Sequence, residues 1–146
     1  MPKTVRDIIK DRKEVYSISN QTTVAEAARF LKDRGIRATG VSNLSGKIVG
    51  VVSQSDISDK VVAENFRPSD VTVQAIASTN LIKVTPDTEI SAAMRTMQEN
   101  GVYHLIVEDA AGNFSGMVSM RDCNAMKVEE EKERAEMLKD YAFPNY

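Results

Sequence analysis

The sequence predicts an α/β (α+β) fold built as two tandem β-α-β-β-α repeats related by a pseudo-twofold axis. Three observations carry that prediction. Sliding the chain on itself by 66 residues lays positions 16–56 on 82–122 without a gap. Ten of those 41 pairs are identical, including Thr22/Thr88, Gly35/Gly101, Gly50/Gly116, Ser53/Ser119 and Asp56/Asp122. Apolar positions that differ do so conservatively, as at Ile18/Val84, Val24/Ile90, Leu31/Met97 and Ile36/Val102. Neither copy alone has enough core to stand by itself, so the two are expected to bury their sheets together.

The elements follow in the same order in each copy. An opening segment recurs at an offset of 68, TVRDII (4–9) against TVQAIA (72–77). The shift of two implies a small length change in the connection that follows. A short strand comes next, at 16–19 and 82–85. Val24, Ala27, Ala28 and Leu31 then fall at i, i+3, i+4 and i+7, one face of a helix, and Ile90, Ala93, Met94 and Met97 repeat that face. Thr22 or Thr23 is positioned to N-cap the first helix, and Thr23 with Glu26 matches a capping box. Gly35 and Gly101 sit where a helix C-cap requires positive φ. Strands at 36–42 and 102–108 lead through turns at 43–46 and 109–112 into strands at 48–53 and 114–119. A final helix begins near Asp56 and near Asp122. The repeats divide the chain at 1–67 and 68–126, with a charged helix and tail over 127–146.

Composition excludes several functions. The 146 residues carry 19 Lys and Arg against 21 Asp and Glu, so no basic surface points to nucleic acid. No apolar run approaches the ~20 residues of a membrane span, and no secretion signal is read at the N-terminus. The lone Cys123 cannot form an internal disulfide, which fits a reducing cytoplasm. It follows Asp122 at a helix start, which would lower its pKa, against burial as a small hydrophobe. A single His104 excludes zinc sites that need two or more His. There is no nucleophile–base pair, metal cluster or P-loop, so an enzyme is not expected and no cofactor is required.

Gly-Val-Val-Ser-Gln-Ser-Asp (50–56) and Gly-Met-Val-Ser-Met-Arg-Asp (116–122) both read G-h-h-S-x-x-D, where h is apolar. Two copies, each preceded by the same helix–Gly–strand pattern, resemble a CBS-domain pair, or Bateman module, of the small stand-alone prokaryotic kind. The resemblance covers nearly the whole chain. It implies a non-catalytic regulatory or energy-sensing module. Such modules bind an adenosyl ligand between the repeats: AMP, ADP or ATP first, with NAD(H), S-adenosylmethionine or cyclic dinucleotides also known in the family. It further implies a disc-like homodimer that signals to a regulated partner.

Residues for such a ligand follow. An ionised Asp is acceptor-only and can take both ribose hydroxyls, so Asp56 and Asp122 are the expected ribose grips. Ser53, Ser55 and Ser119 add neutral donors at the helix starts, and Arg121 adds a cation for a phosphate. The resemblance places phosphate-facing positions at Arg37 and Ala38 in repeat 1, and at Tyr103 and His104 in repeat 2. It places adenine between Ile18, Ile36 and Val51 in repeat 1, and between Val84, Val102 and Met117 in repeat 2. It also turns Thr22 toward the Asp122 site and Thr88 toward the Asp56 site. Ser-x-Ser-Asp with Arg37 ranks the Asp56 site first. The family's frequent Pro of the middle strand is Gly40 in one copy and Ile106 in the other.

The competing readings are plain ones. Asp near a helix start also serves as a cap without any ligand. The chain could be a ligand-free interaction or scaffold protein with empty clefts. Within 127–140, Val128, Ala135, Leu138 and Tyr141 form a thin seam on a charged helix, either solvated or packed on a partner subunit. Pro144 ends any helix.

Overall fold

The computed structural model describes residues 2–142, so Pro144 lies outside the described residues. Helix α1 (Val5–Ile9) is followed by β1 (Ser17–Ser19), α2 (Val24–Arg34), β2 (Ala38–Ser42), β3 (Ile48–Ser53) and α3 (Gln54–Ile57). A π-helical turn over Ser58–Val62 extends α3, and two 3-10 turns, Pro68–Asp70 and Val73–Ala75, lead into the second copy. That copy comprises β4 (Lys83–Val84), α4 (Ile90–Asn100), β5 (His104–Glu108), β6 (Phe114–Ser119) and α5 (Met120–Ala142). Two three-stranded sheets result, in the orders β1-β2-β3 and β4-β5-β6. In each, the first pair is parallel and the second antiparallel. The repeat extends to register: Ala38 opposes Ser53 as His104 opposes Ser119, and each ladder shifts at the same place, after Val41 and after Val107.

Local chemistry explains the boundaries. Thr23 is the cap of α2: its hydroxyl accepts the Glu26 N–H, and the Glu26 carboxylate accepts the Thr23 N–H. Gly35 and Gly101 end α2 and α4 at φ +63° and +64°, a conformation costly for any residue with a Cβ. The final helix of each copy starts two residues earlier than the sequence suggests, at Gln54 and Met120. Ser53 and Ser119 cap these helices from the ends of β3 and β6, and each Asp sits in the first turn closing a capping box. The middle strands start two residues later than expected, at Ala38 and His104. The carbonyls of Arg37 and Tyr103 instead accept the N–H groups of Gln54 and Met120.

The two cores interleave across the sequence repeats. Val24, Ala27, Val41 and Val52 of the first copy pack with Val73 and Ile76, which belong to the second copy's opening segment. Reciprocally, Ile90, Met97, Leu105 and Val118 enclose Val5, with Ile8 and Ile9 packed alongside. The crossings are pinned by equivalent bonds. The Val5 N–H donates to the Thr88 carbonyl and the Val73 N–H to the Thr22 carbonyl, each at 2.8 Å. Gly40 marks where the sheets meet. A Cβ there would lie 3.2 Å from the Phe114 ring of the other sheet, so the absent side chain is what admits that ring.

Helix α5 runs unbroken from the core through the charged segment. Lys3 ties the N-terminus to it through Glu130 and Glu133. Val128, Leu138 and Tyr141 of the expected seam are exposed in the single chain. No helix among the described residues is long and apolar enough to cross a membrane.

Candidate functional site

The pseudo-twofold builds two clefts, each from both repeats. One is lined by Met117, Ser119, Arg121 and Asp122 of the second copy, with Arg12–Tyr16 and Gly35–Thr39 of the first; its volume is about 870 Å³. The other is lined by Val51, Ser53 and Asp56 of the first copy, with Ser78, Asn80, Ile82 and Gly101–His104 of the second; it holds about 230 Å³. Small-molecule sites commonly occupy ~300–1,000 Å³, so only the first has room of that order.

Several expected residues move relative to the sequence reading. Arg37 and Ile36 line the Asp122 cleft, not the Asp56 site of their own repeat, and Val102 lines the Asp56 cleft. The cause is the pseudo-twofold, which sets the entry to each middle strand against the other repeat's Ser–Asp motif. Tyr103 and His104 line both clefts. Thr22 and Thr88 line neither, because their carbonyls hold the incoming Val73 and Val5. Ile18 is buried in the first core, and Ser55 projects to solvent from α3. The arrangement also brings in Arg12, Lys13, Ser78 and Asn80, which the sequence reading missed. They lie in connections without helix or strand, just where the repeat offset changes from 68 to 66, so no pattern marks them.

The two carboxylates differ in what they have left to offer. Asp56 Oδ2 accepts from the Ser53 N–H and hydroxyl, and Oδ1 pairs with Lys60 Nζ at 3.0 Å. Lys60 is further held by the Ile76 carbonyl at 2.9 Å. On Asp122, both contacts fall on Oδ2: the Ser119 N–H at 2.8 Å and Arg12 Nη2 at 3.1 Å. Among the described residues Oδ1 of Asp122 carries no hydrogen bond. The Asp122 side chain is also more open, 35% exposed against 16% for Asp56.

The sheet edges differ in the same sense. Val51 and Ser78 exchange two backbone hydrogen bonds, 2.9 and 2.8 Å, which close the edge of β3 over the Asp56 cleft. Val51 and Met117 are equivalent. Each opposes a middle-strand residue, Gly40 or Ile106. The Ile106 N–H points to the Ile82 carbonyl just before β4, so Met117 faces it across a non-hydrogen-bonded pair and directs its own N–H and C=O outward. Among the described residues no backbone bridge covers that edge. The Met117 carbonyl accepts Arg12 Nη1 instead.

Gly50 makes the Val51–Ser78 bridge possible. A Cβ there would lie 3.0 Å from the Ser78 carbonyl oxygen and 3.2 Å from Ala77 Cβ, and backbone cannot yield as a flexible side chain can. Gly50→Ala is therefore expected to break the bridge and widen the Asp56 cleft, at ~1–3 kcal/mol. Amide exchange checks this: the Val51 and Ser78 N–H groups should exchange faster than in the parent, with Val41 unchanged.

Electrostatics complete the picture. Burial holds the His104 imidazole below its ordinary pKa; Asp122 and Asp56 pull it up, and Arg37 pushes it further down. The ring is thus neutral near pH 7, a donor–acceptor wall between the clefts rather than a fixed cation. Cys123 is buried, and burial followed by the Asp122 charge pushes its thiol up to about 11. The helix start does not activate it.

Comparisons with known proteins agree with this architecture. The model of the CBS domain matches residues 5–63 and again 73–125. An uncharacterized 17.7 kDa protein of Acidianus ambivalens is 32% identical over 109 residues, covering 75% of this chain and 65% of its own length. The chain spans less than two thirds of the length of the curated relatives it matches. Among solved structures, the CBS domain pair of protein MJ0100, in complex with 5′-methylthioadenosine and S-adenosyl-L-methionine, superposes with a TM-score of 0.78. It is 22% identical, over 89% of this chain and 99% of that one. A CBS domain protein of Pyrobaculum aerophilum complexed with AMP gives a TM-score of 0.73 at 21% identity, over 82% of this chain and 88% of that one. With the domain matched twice and the paired sheets, repeated register and interleaved cores all in place, the chain belongs to the CBS domain family, as a CBS-domain pair.

Proposed function

We propose that the chain is a non-catalytic sensor that binds one adenosyl ligand, in the Asp122 cleft. The carrying observation is that, of these two clefts, this one combines ample volume, a carboxylate oxygen free among the described residues and an outward-facing strand edge. Asp122 Oδ1 would take the ribose hydroxyls. The Met117 N–H and C=O offer a donor and an acceptor to the acceptor N1 and donor N6 of adenine. Ser119 and the start of the 23-residue α5 favour an anionic group. This reverses the order that the Ser-x-Ser-Asp pattern suggests, because Asp56 is occupied on both oxygens and its strand edge is bridged. The AMP, methylthioadenosine and S-adenosylmethionine complexes of the structural neighbours support the ligand class.

A cytoplasmic homodimer that reports cleft occupancy to a regulated partner completes the reading. Ligand can shift such an assembly only through different affinities for its states. One observation favours a second reading, a ligand-free interaction module: each Asp already has an internal cation, Lys60 or Arg12. Thermal unfolding with AMP, ADP, ATP, NADH, S-adenosylmethionine, methylthioadenosine and cyclic dinucleotides separates the two. A native-state ligand at ~100 times its Kd adds ~2.7 kcal/mol, several degrees for a domain of this size. A shift with one adenosyl compound is expected; none with any, up to millimolar, would favour the interaction module.

A further inference from the structure

We propose that Arg12 makes the Asp122 cleft selective for adenosyl ligands that carry an anionic group, nucleoside phosphates, over neutral or cationic ones. The inference rests on the reading of that cleft as an adenosyl site and names the ligand class within it.

Arg12 spans the cleft. One end of its guanidinium pairs with Asp122 Oδ2 at 3.1 Å and the other donates to the Met117 carbonyl. These are the carboxylate and the strand edge that a nucleoside would need. Arg12 therefore holds the base edge beside the Oδ1 that the ribose would take, and any adenine must first turn it from the Met117 carbonyl. Both partners of the ion pair are 35% exposed, and such pairs are weak and screened by salt, so displacement is feasible. Arg12 also lies between α1 and β1, in a connection with neither helix nor strand, which leaves the side chain room to swing.

What the ligand offers in return decides which ligand wins. The cleft is lined by four cations, Arg12, Lys13, Arg37 and Arg121, against two carboxylates, Glu14 and Asp122. Once adenine takes the Met117 carbonyl and the ribose takes Asp122 Oδ1, the guanidinium has lost one partner and shares the charge of the other, in a cationic surround. A phosphate repairs this, because the Arg fork matches two phosphate oxygens and AMP brings close to two negative charges near pH 7. The thioether of methylthioadenosine offers the guanidinium nothing in place of the Met117 carbonyl. The sulfonium of S-adenosylmethionine adds positive charge to the same wall, since its distant ammonium and carboxylate cancel. The Asp56 cleft divides these tasks: Lys60 pairs with Asp56 and the Ser78 backbone bridges Val51.

Calorimetric titration at fixed ionic strength tests this with AMP, methylthioadenosine and S-adenosylmethionine against the parent, Arg12→Gln and Arg12→Lys. The parent should prefer AMP to methylthioadenosine by about tenfold or more. Arg12→Gln should weaken AMP by about tenfold or more while methylthioadenosine binding stays or tightens, since its competitor is gone. Arg12→Lys should restore part of the AMP affinity, as a point charge without the fork. Circular dichroism confirms that the variants are folded. The inference is overturned if the parent binds methylthioadenosine or S-adenosylmethionine as tightly as AMP, or if Arg12→Gln weakens all three alike or leaves AMP unchanged. If the parent binds none of the three, it is the adenosyl-site reading that fails, and the role of Arg12 falls with it.

Discussion

Asp122→Ala is expected to abolish adenosyl-ligand binding, with Kd raised at least ~100-fold, whereas Asp56→Ala should leave it within a few-fold of the parent. Two ribose hydroxyls donating to one carboxylate are charge-assisted bonds, each contributing ~1.5–3 kcal/mol, and two together exceed a hundredfold. Asp122 keeps one oxygen free for them, while Asp56 is held by Ser53 and Lys60 beside a cleft of about 230 Å³. Asp122 also closes a capping box with Ser119, so the variant should lose ~1 kcal/mol of stability as well. That loss is too small to unfold the chain, and titration calorimetry on the folded variants reads the binding effect directly. Loss of binding in Asp56→Ala with retention in Asp122→Ala would invert the assignment of the clefts.

Val5→Asp should cost on the order of 4 kcal/mol, near the top of what single substitutions do. Val5 is fully buried although it lies at the start of the chain, enclosed by Val84, Ile90, Leu105 and Val118. A carboxylate there has no partner among these apolar side chains and must be desolvated or protonated. Val15→Asp makes the same change ten residues later, at a side chain 53% exposed, and should alter stability by under ~0.5 kcal/mol. Urea unfolding of both variants gives the contrast. Similar midpoints for the two would mean that α1 contributes little to the second core. A loss of ~4 kcal/mol from a typical total of ~5–15 kcal/mol would remove between about a quarter and most of the stability.

How far the sequence could be read follows from what repeats. The elements of each copy were legible because apolar spacing, Gly35 and Gly101, and the Ser–Asp motif recur in register. The shared offset of 66 reappears in the ladder as Ala38–Ser53 and His104–Ser119. The partnership of the clefts was less legible. Arg37 and Ile36 belong with Asp122 because of the pseudo-twofold, a relation in space that spacing along the chain does not contain. Arg12 and Ser78 were illegible for a different reason. They reach equivalent strand residues, Met117 and Val51, by different chemistry, a guanidinium in one and a backbone amide in the other, so no motif could pair them. The proposed reversal of the two sites' ranking rests on the same ground. Ser-x-Ser-Asp looked the fuller match, yet Lys60 and the Val51–Ser78 bridge decide what that motif has left to give.

The interleaving of the cores also sets an order of events during synthesis. The first copy's seat, ending at Val61, leaves the ribosome shortly before Val73 and Ile76, which fill it. That half can therefore close as soon as its own plug emerges. Helix α1 has the opposite fate. Its five residues are too few to hold a helix alone, and the groove that receives Val5 is completed only by Val118 and Cys123. At ~5–20 residues per second, Val5 waits several seconds or more with its apolar face exposed. Of the two opening segments, the one made first is thus seated last, and the Asp122 cleft, which depends on the segment that follows α1, is the later of the two to mature.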